Sequence, residues 1–297
     1  MRALDFSDLL GGREGRSAGS AFAAVAGAHL CVLGSGSRGN CAVLRVSAHG
    51  RQRLILIDIG LSPRLTSKRL NQLGLDMADC SAVLLTHLDR DHCHDGFCGA
   101  PSEALPLPAH CEVFVPKASL GRAQEFGLNG GRVHAFDRHF RTRCGVDVTP
   151  LMQYHDALGA AAFKITLPSG VLGDGAEACP VRRTIGFATD LGRVTGDLIA
   201  LLRAVHVLAI ESNYCPERQA SSDRPDFLKR RITGGRGHLS NLECLDAIHA
   251  IEPREHVVLL HLSRDCNCPQ AVAALHEGAD YALTIALQDE PTRWVRV

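Results

Sequence analysis

Aromatic side chains are scarce, with 10 Phe, 3 Tyr and 1 Trp making up 5% of 297 residues. So few rings exclude a nucleic-acid surface built from many stacked aromatics. Neither sign of charge dominates, since Lys plus Arg number 32 and Asp plus Glu also number 32. Global charge therefore points to neither nucleic acid nor membrane, and any such surface has to be local. No apolar run reaches the length of a membrane span; the longest near the start is Ala21 to Ala28. That run also lacks the basic-then-apolar order of a signal peptide, so a cytoplasmic protein is expected. The 12 Cys are scattered, with no Cys-x-x-Cys pair and with Cys266 and Cys268 as the nearest two. Such spacing favours reduced, buried thiols over a disulfide framework and argues against a redox role.

What remains is an ordinary core-forming composition, 45% apolar and 22% charged, with 15 His, more than usual. Residues 1–27 are rich in Gly, Ala, Arg and Ser and read as a loose N-terminal extension. Residues 28–297 read as one large domain. Within it, apolar runs predict strands at 29–33, 41–46, 53–57, 82–85, 113–115, 132–136, 146–152, 160–167, 184–188, 206–210, 257–260 and 281–287. Helical spacing is found at 63–73, 118–126, 195–202, 226–232, 241–251 and 269–276. Strands and helices alternate, the pattern of an α/β fold. The glycine-rich segment from Gly34 to Asn40 lies between two strands. It is either a plain turn or a loop that offers backbone N–H groups to an anion. It is neither a dinucleotide nor a P-loop motif, because no Gly-x-Gly-x-x-Gly opens a helix and no Gly-Lys-Ser/Thr follows.

The densest chemistry lies at residues 82–96. A buried-strand run, Ala82 to Leu85, gives way to Thr86-His87-Leu88-Asp89-Arg90-Asp91-His92, then His94, Asp95 and Gly96. Imidazoles suit zinc and iron and carboxylates suit harder ions, so this cluster can begin a site for two metals. The pattern recurs: His155, Asp190, Glu211 and His261 each follow an apolar strand. Strand ends in an open sheet are where ligands bind. Further on, Lys229, Arg230 and Arg231, followed by Arg236 and His238, form a local basic stretch suited to phosphate contacts or to an ordinary exposed face.

The segment from His87 to His92 resembles the His-x-His-x-Asp-His signature of the metallo-β-lactamase superfamily, with Asp89 where the pattern has its second His. Finer matches run through Val32 to Asn40, Asp58 to Ser62, Phe227 to Ile232, Gly237 to Asn241 and His261 to Asn267. Together they resemble the YycJ/WalJ-like branch, which is related to ribonuclease Z in its core and associated with exonuclease action on DNA. The resemblance covers residues 29–290 and implies a four-layer αββα sandwich. It implies one metal on His87, Asp89 and His155, a second on Asp91, His92 and His261, and Asp190 bridging them. It also implies a dinuclear-metal-activated hydroxide. Asp91 and His238 are the candidate catalytic groups, His238 either offering a hydrogen bond to the phosphate or leaving oxygen or serving as a structural histidine. Asp58 is either a carboxylate that orients a histidine ligand or a simple turn residue. The metals would be Mn, Zn or Fe, with Asp89 shifting preference toward harder ions. The expected partner is DNA. A thioester or lactone hydrolase and a non-catalytic metal-binding relative are the alternatives. Where the branch has Glu-x-Asn-His, this chain has Glu211-Ser212-Asn213-Tyr214, so an imidazole is replaced by a phenol.

Overall fold

A computed structural model describes residues 27–48, 51–99, 106–155, 157–168 and 182–297. The expected N-terminal extension, up to residue 26, and the expected loop over 171–180 lie outside the described residues. Strands β1 (Gly27–Gly34), β2 (Cys41–Ala48), β3 (Arg51–Ile57), β4 (Cys80–Leu84), β5 (Glu112–Pro116) and β6 (Val133–Phe136) build the first sheet. The second contains β7 (Phe140–Arg141), β8 (Asp147–Gln153), β9 (Ala160–Thr166), β10 (Thr184–Ala188), β11 (Val207–Glu211), β12 (His256–Leu260) and β13 (Ala282–Ile285). A last strand, β14 (Val295–Arg296), returns to the first sheet. The sheet orders are β14-β1-β2-β3-β4-β5-β6 and β13-β12-β11-β10-β9-β8-β7.

Alternation of side chains across each strand builds three cores at once. Ala82 and Leu84 of β4 face a central core shared with Phe163, Ile185, Val207 and Val258 of the second sheet. Val83 and Leu85 face the opposite way, into a core roofed by helix Pro63–Gln72. On the far side, Leu208, Ile210 and Leu259 pack beneath helices Gly196–Leu202 and Asn241–Ile251. The layers are therefore helix, sheet, sheet, helix, the αββα sandwich. Strands covered on both faces read as unbroken apolar runs, which is why β4 and β11 are conspicuous in the sequence.

Three of the helices begin where a side chain satisfies one of their first N–H groups. Ser62 caps Leu65 N, with Pro63 at the first helical position. Thr195 caps Leu198 N rather than lying inside its helix as expected. Ser240 and Glu243 form a reciprocal capping box. The helix expected over 226–232 ends at Arg231. A wide π turn follows at Ile232–Arg236, broken at Gly234 and at Gly235, whose φ is 75°. Helix Pro216–Ser221 and the two-residue strands β7 and β14 are too short to leave a periodic signal and were not expected. Among the described residues no helix is long and apolar enough to cross a membrane.

Candidate metal centre

The C-terminal ends of β4, β8, β10, β11 and β12 deliver His87 to His92, His155, Asp190, Glu211 and His261 to one place. Three of the residues there are non-glycine residues in the left-handed region: Asp58 (φ 60°), Asp190 (φ 53°) and His261 (φ 57°). Such a conformation persists only where the surroundings hold it, and it tends to mark functional sites.

His92 is the pivot. Its Nδ1 lies 2.7 Å from Asp58 Oδ2 and its Nε2 lies 2.9 Å from Asp190 Oδ2. Asn40 Nδ2 is 3.0 Å from the same Nε2. Asp58 is locked in turn by Thr86, whose N–H and Oγ1 both donate to its carboxylate. Thr86 Oγ1 also lies 2.9 Å from His87 Nδ1, so one buried threonine links two imidazoles to one carboxylate. On the opposite side Glu211, wholly buried, takes up both His238 Nδ1 (2.6 Å) and His261 Nδ1 (3.1 Å) on Oε1. Its Oε2 accepts from Leu191 N and Leu239 N. His155 Nδ1 is 3.1 Å from Gly237 O.

Donor atoms gather in groups of the right size for metal ions. His87, Asp89 and His155 form one, and Asp91, His92 and His261 another; within each, the donor atoms lie within 4.8 Å of one another. Asp190 falls in a group with His87 and His92, and in another with Glu211, His238 and His261. His87 Nε2 and His261 Nε2 are buried without a hydrogen-bond partner. Buried polar atoms are normally paired, so two orphaned imidazole nitrogens aimed into a carboxylate-lined space fit a cation. Electrostatics agrees. Burial, helped by neighbouring His92, pushes the His87 imidazole well below its usual range, which keeps it neutral. Burial also opposes charge on His92 and His261, but the carboxylates around them prevail. Asp190 and Asp58 hold His92 well above its usual range. Asp190, Asp91 and Glu211 raise His261 to about 10. The carboxyl of Asp190 is held well below its range, burial being overcome by His261 and His92. Carboxylates that stabilise imidazolium so strongly attract a divalent cation in the same place.

Asp89 is arranged differently from the other donors. One oxygen is 3.9 Å from His87 Nε2, while the other accepts from Arg122 Nη1 at 3.1 Å. Arg122 lies 33 residues away on helix Leu120–Glu125, so nothing in the sequence signals the pair.

A cavity of about 510 Å³ opens over these groups. His87, Asp89, Asp91, His155, Asp190, His238 and His261 line it, with Ser37, Asn213 and Ser263 beside them. Of the basic stretch, Arg231 reaches the lining, whereas Lys229, Arg230 and Arg236 do not. Lys229 Nζ donates to Ala220 O instead. Arg224, not expected from the sequence, lines the cavity and donates to Ser263 Oγ and Asp265 Oδ2. Tyr214 turns away into a small apolar cluster with Ile232, Cys266 and Leu228, and burial pushes its phenol up to about 12. Asp58, expected to orient a histidine, lies against Nδ1 of His92, and Glu211 lies likewise against Nδ1 of His238 and of His261.

Residues 53–262 match the beta-lactamase superfamily domain. The chain is 26% identical over 249 residues to exodeoxyribonuclease YycJ of Bacillus anthracis, covering 81% of this chain and 84% of that one. It is 25% identical over 244 residues to exodeoxyribonuclease WalJ of Streptococcus pneumoniae, covering 80% and 82%. Among solved structures it resembles the metallo-beta-lactamase fold protein YhfI of Bacillus subtilis, with a TM-score of 0.63 and 17% identity over 89% of this chain and 98% of that one. A diphosphatase of the PhnP family is similar with a TM-score of 0.59 and 13% identity, covering 91% and 98%.

Proposed function

The chain belongs to the beta-lactamase superfamily, and from that premise we propose that it is a metal-dependent phosphodiesterase acting as an exonuclease on DNA. The observation that carries this reading is the pair of donor trios on either side of Asp190, flooring a cavity whose wall holds Arg224 and Arg231. The curated relatives named as exodeoxyribonucleases support it. His87, Asp89 and His155 would hold one divalent ion, and Asp91, His92 and His261 the other, with Asp190 shared. Two such ions would supply Lewis acidity toward phosphoryl oxygens and an activated water. Asp89 favours manganese or iron over zinc at the first site, because carboxylate suits harder ions.

The chain's own groups do the rest. Arg231 and Arg224 present guanidinium groups to a bound phosphate. His238 donates its Nδ1–H to Glu211 Oε1, a hydrogen bond that fixes the ring and leaves Nε2 for the phosphate or the departing oxygen. Asp91 Oδ2 lies 3.6 Å from His261 Nε2 and 3.7 Å from His92 Nε2, and accepts the proton of the attacking water. A thioester or lactone hydrolase would call for an apolar pocket, yet the apolar side chains of the lining are only Leu228 and Ile232. The described cysteines are all free thiols, which suits a cytoplasmic setting.

The test is hydrolysis of bis-p-nitrophenyl phosphate and of end-labelled DNA by stripped protein reloaded with manganese, iron or zinc. Metal-dependent turnover of both, lost in His87→Ala and Asp190→Ala, is expected. Bound metal with neither substrate cleaved would sink the reading.

A further inference from the structure

Three chain segments meet beside the metal centre, and each brings one residue to the cavity and another to the rim. After β8, His155 lines the cavity and its neighbour Tyr154 is 52% exposed. After β10, Asp190 lines the cavity and Arg193 is exposed. After the π turn, His238 lines the cavity and Arg236 is exposed. The segments are in backbone contact. Gly192 N donates to Tyr154 O at 2.9 Å. A Cβ on Gly192 would fall 2.5 Å from Arg236 Cα and 2.6 Å from Tyr154 O, so only glycine allows this approach. His155 Nδ1 at 3.1 Å from Gly237 O ties the first segment to the third.

On that rim the Arg193 guanidinium carbon lies 3.8 Å from the centre of the Tyr154 ring. A half-exposed tyrosine backed by a stacked arginine is a poor device for stability in water. Its exposed ring surface costs solvation, and an exposed cation–π contact returns only about 0.5–1 kcal/mol. It is a good device for holding a nucleobase, since every base has a π-face and arginine adds both stacking and charge. In a chain with 3 Tyr, one standing next to a candidate metal ligand is well placed for such a task.

We propose that Tyr154, backed by Arg193 and flanked by Arg236, is a nucleotide subsite that stacks an unpaired base of the strand entering the metal centre. The substrate class is then single-stranded nucleic acid, or a frayed end, since a base inside a duplex presents no free face. The proposal rests on the phosphodiesterase reading above. Stacking is non-covalent, so no bond of the substrate changes here; the subsite acts on binding.

The experiment compares Tyr154→Ala, Tyr154→Phe and Arg193→Ala in the metal-loaded full chain. Three substrates are used: a single-stranded oligonucleotide, the same sequence as a blunt duplex, and bis-p-nitrophenyl phosphate, which has no nucleobase. Loss of one base stack should raise KM for the single strand about tenfold in Tyr154→Ala, with kcat nearly unchanged. Tyr154→Phe should restore it, and Arg193→Ala should fall between. Turnover of bis-p-nitrophenyl phosphate should stay within about twofold throughout, since the subsite touches only the base. An unchanged KM for the single strand would overturn the proposal. So would a parallel fall on the small diester, which would mean that Tyr154 only supports His155. Wild-type turnover of the small diester without any cleavage of DNA is a separate pattern, which would overturn the DNA reading and this subsite together.

Discussion

Asp58-Ile59-Gly60 in the first half of the chain and Asp190-Leu191-Gly192 in the second occupy equivalent places in two sheets wired alike. β1, β2 and β3 are antiparallel, and β3 to β6 are parallel. β8, β9 and β10 are antiparallel, and β10 to β13 are parallel. The tripeptide follows the strand where the wiring changes, and its aspartate has positive φ in both halves. The apolar residue is fully buried in both. The glycine is required in both, since a Cβ on Gly60 would lie 1.7 Å from Asp91 O. Yet the two aspartates do different work on the same ring. Asp58 grips His92 Nδ1 from behind, whereas Asp190 reaches Nε2 from the cavity side and also approaches His261. One backbone device thus sets a carboxylate against the outer face of the ring in one half and on its cavity side, within reach of a second imidazole, in the other. The halves also differ in economy: the first places its donors in one six-residue span, His87 to His92, while the second contributes them singly from separate strand ends.

Asp190→Ala removes the shared donor and should cut phosphodiester turnover roughly 10³-fold or more, with both ions lost on metal analysis. Retention of two ions would mean that Asp190 is only another brace. Gly60→Ala drives a methyl into the backbone of the metal loop and should cost roughly 3 kcal/mol or more. A thermal melt should show a larger drop for it than for Gly192→Ala, whose closest contact is 2.5 Å. Equal drops would deny that the first half is the more tightly seated.

Asp58→Asn and Glu211→Gln compare the braces themselves. Each should weaken metal binding about 10–100-fold, as loss of an orienting carboxylate does. Chelator competition reads this, and wild-type affinity in either variant would remove that residue from the scheme. Asp89→His should move the zinc-to-manganese affinity ratio about tenfold toward zinc, because imidazole replaces a hard oxygen donor. The smallest effect expected is one of pH on metal-free protein. The folded-state pKa of His261, about 10, lies above its ordinary 6.5, so its ion pairs stabilise the fold fully below 6.5 and are lost as pH rises through about 10. Melting temperature without metal should therefore decline by a few degrees over that interval. Metal-loaded protein should not follow it, and identical profiles would show that no proton is displaced on loading.

Much of the candidate centre's clustering can be read from the chain, because its His and Asp residues interrupt apolar runs. His87, Asp91 and His92 crowd one loop, and His155, Asp190 and His261 each break an apolar run. Asp58 and Glu211 were visible as residues after strands, but their grip on particular imidazoles depends on how the sheets face each other. Arg122 and Arg224 left no trace, since their partners Asp89 and Asp265 lie far away along the chain. The run from Lys229 to Arg231 looked uniform, but a helix distributes its faces, and Arg231 alone of the three lines the cavity. The helix ends one residue short of its expected boundary because Ile232, though still helical in φ and ψ, opens the π turn.

β14 gives the two halves a shared timetable. It is the last strand of the second half's chain, yet it pairs with β1, with Leu30 opposite Val295 and His29 opposite Arg296. Thr292 N to Val32 O and Val297 N to Ala28 O extend the same seam. Among the described residues it is β14 that covers this side of β1, so during synthesis that edge is completed only after the second half has been made. An unpaired edge strand is where chains find wrong partners, so nascent chains stalled before residue 292 should be the form most prone to associate.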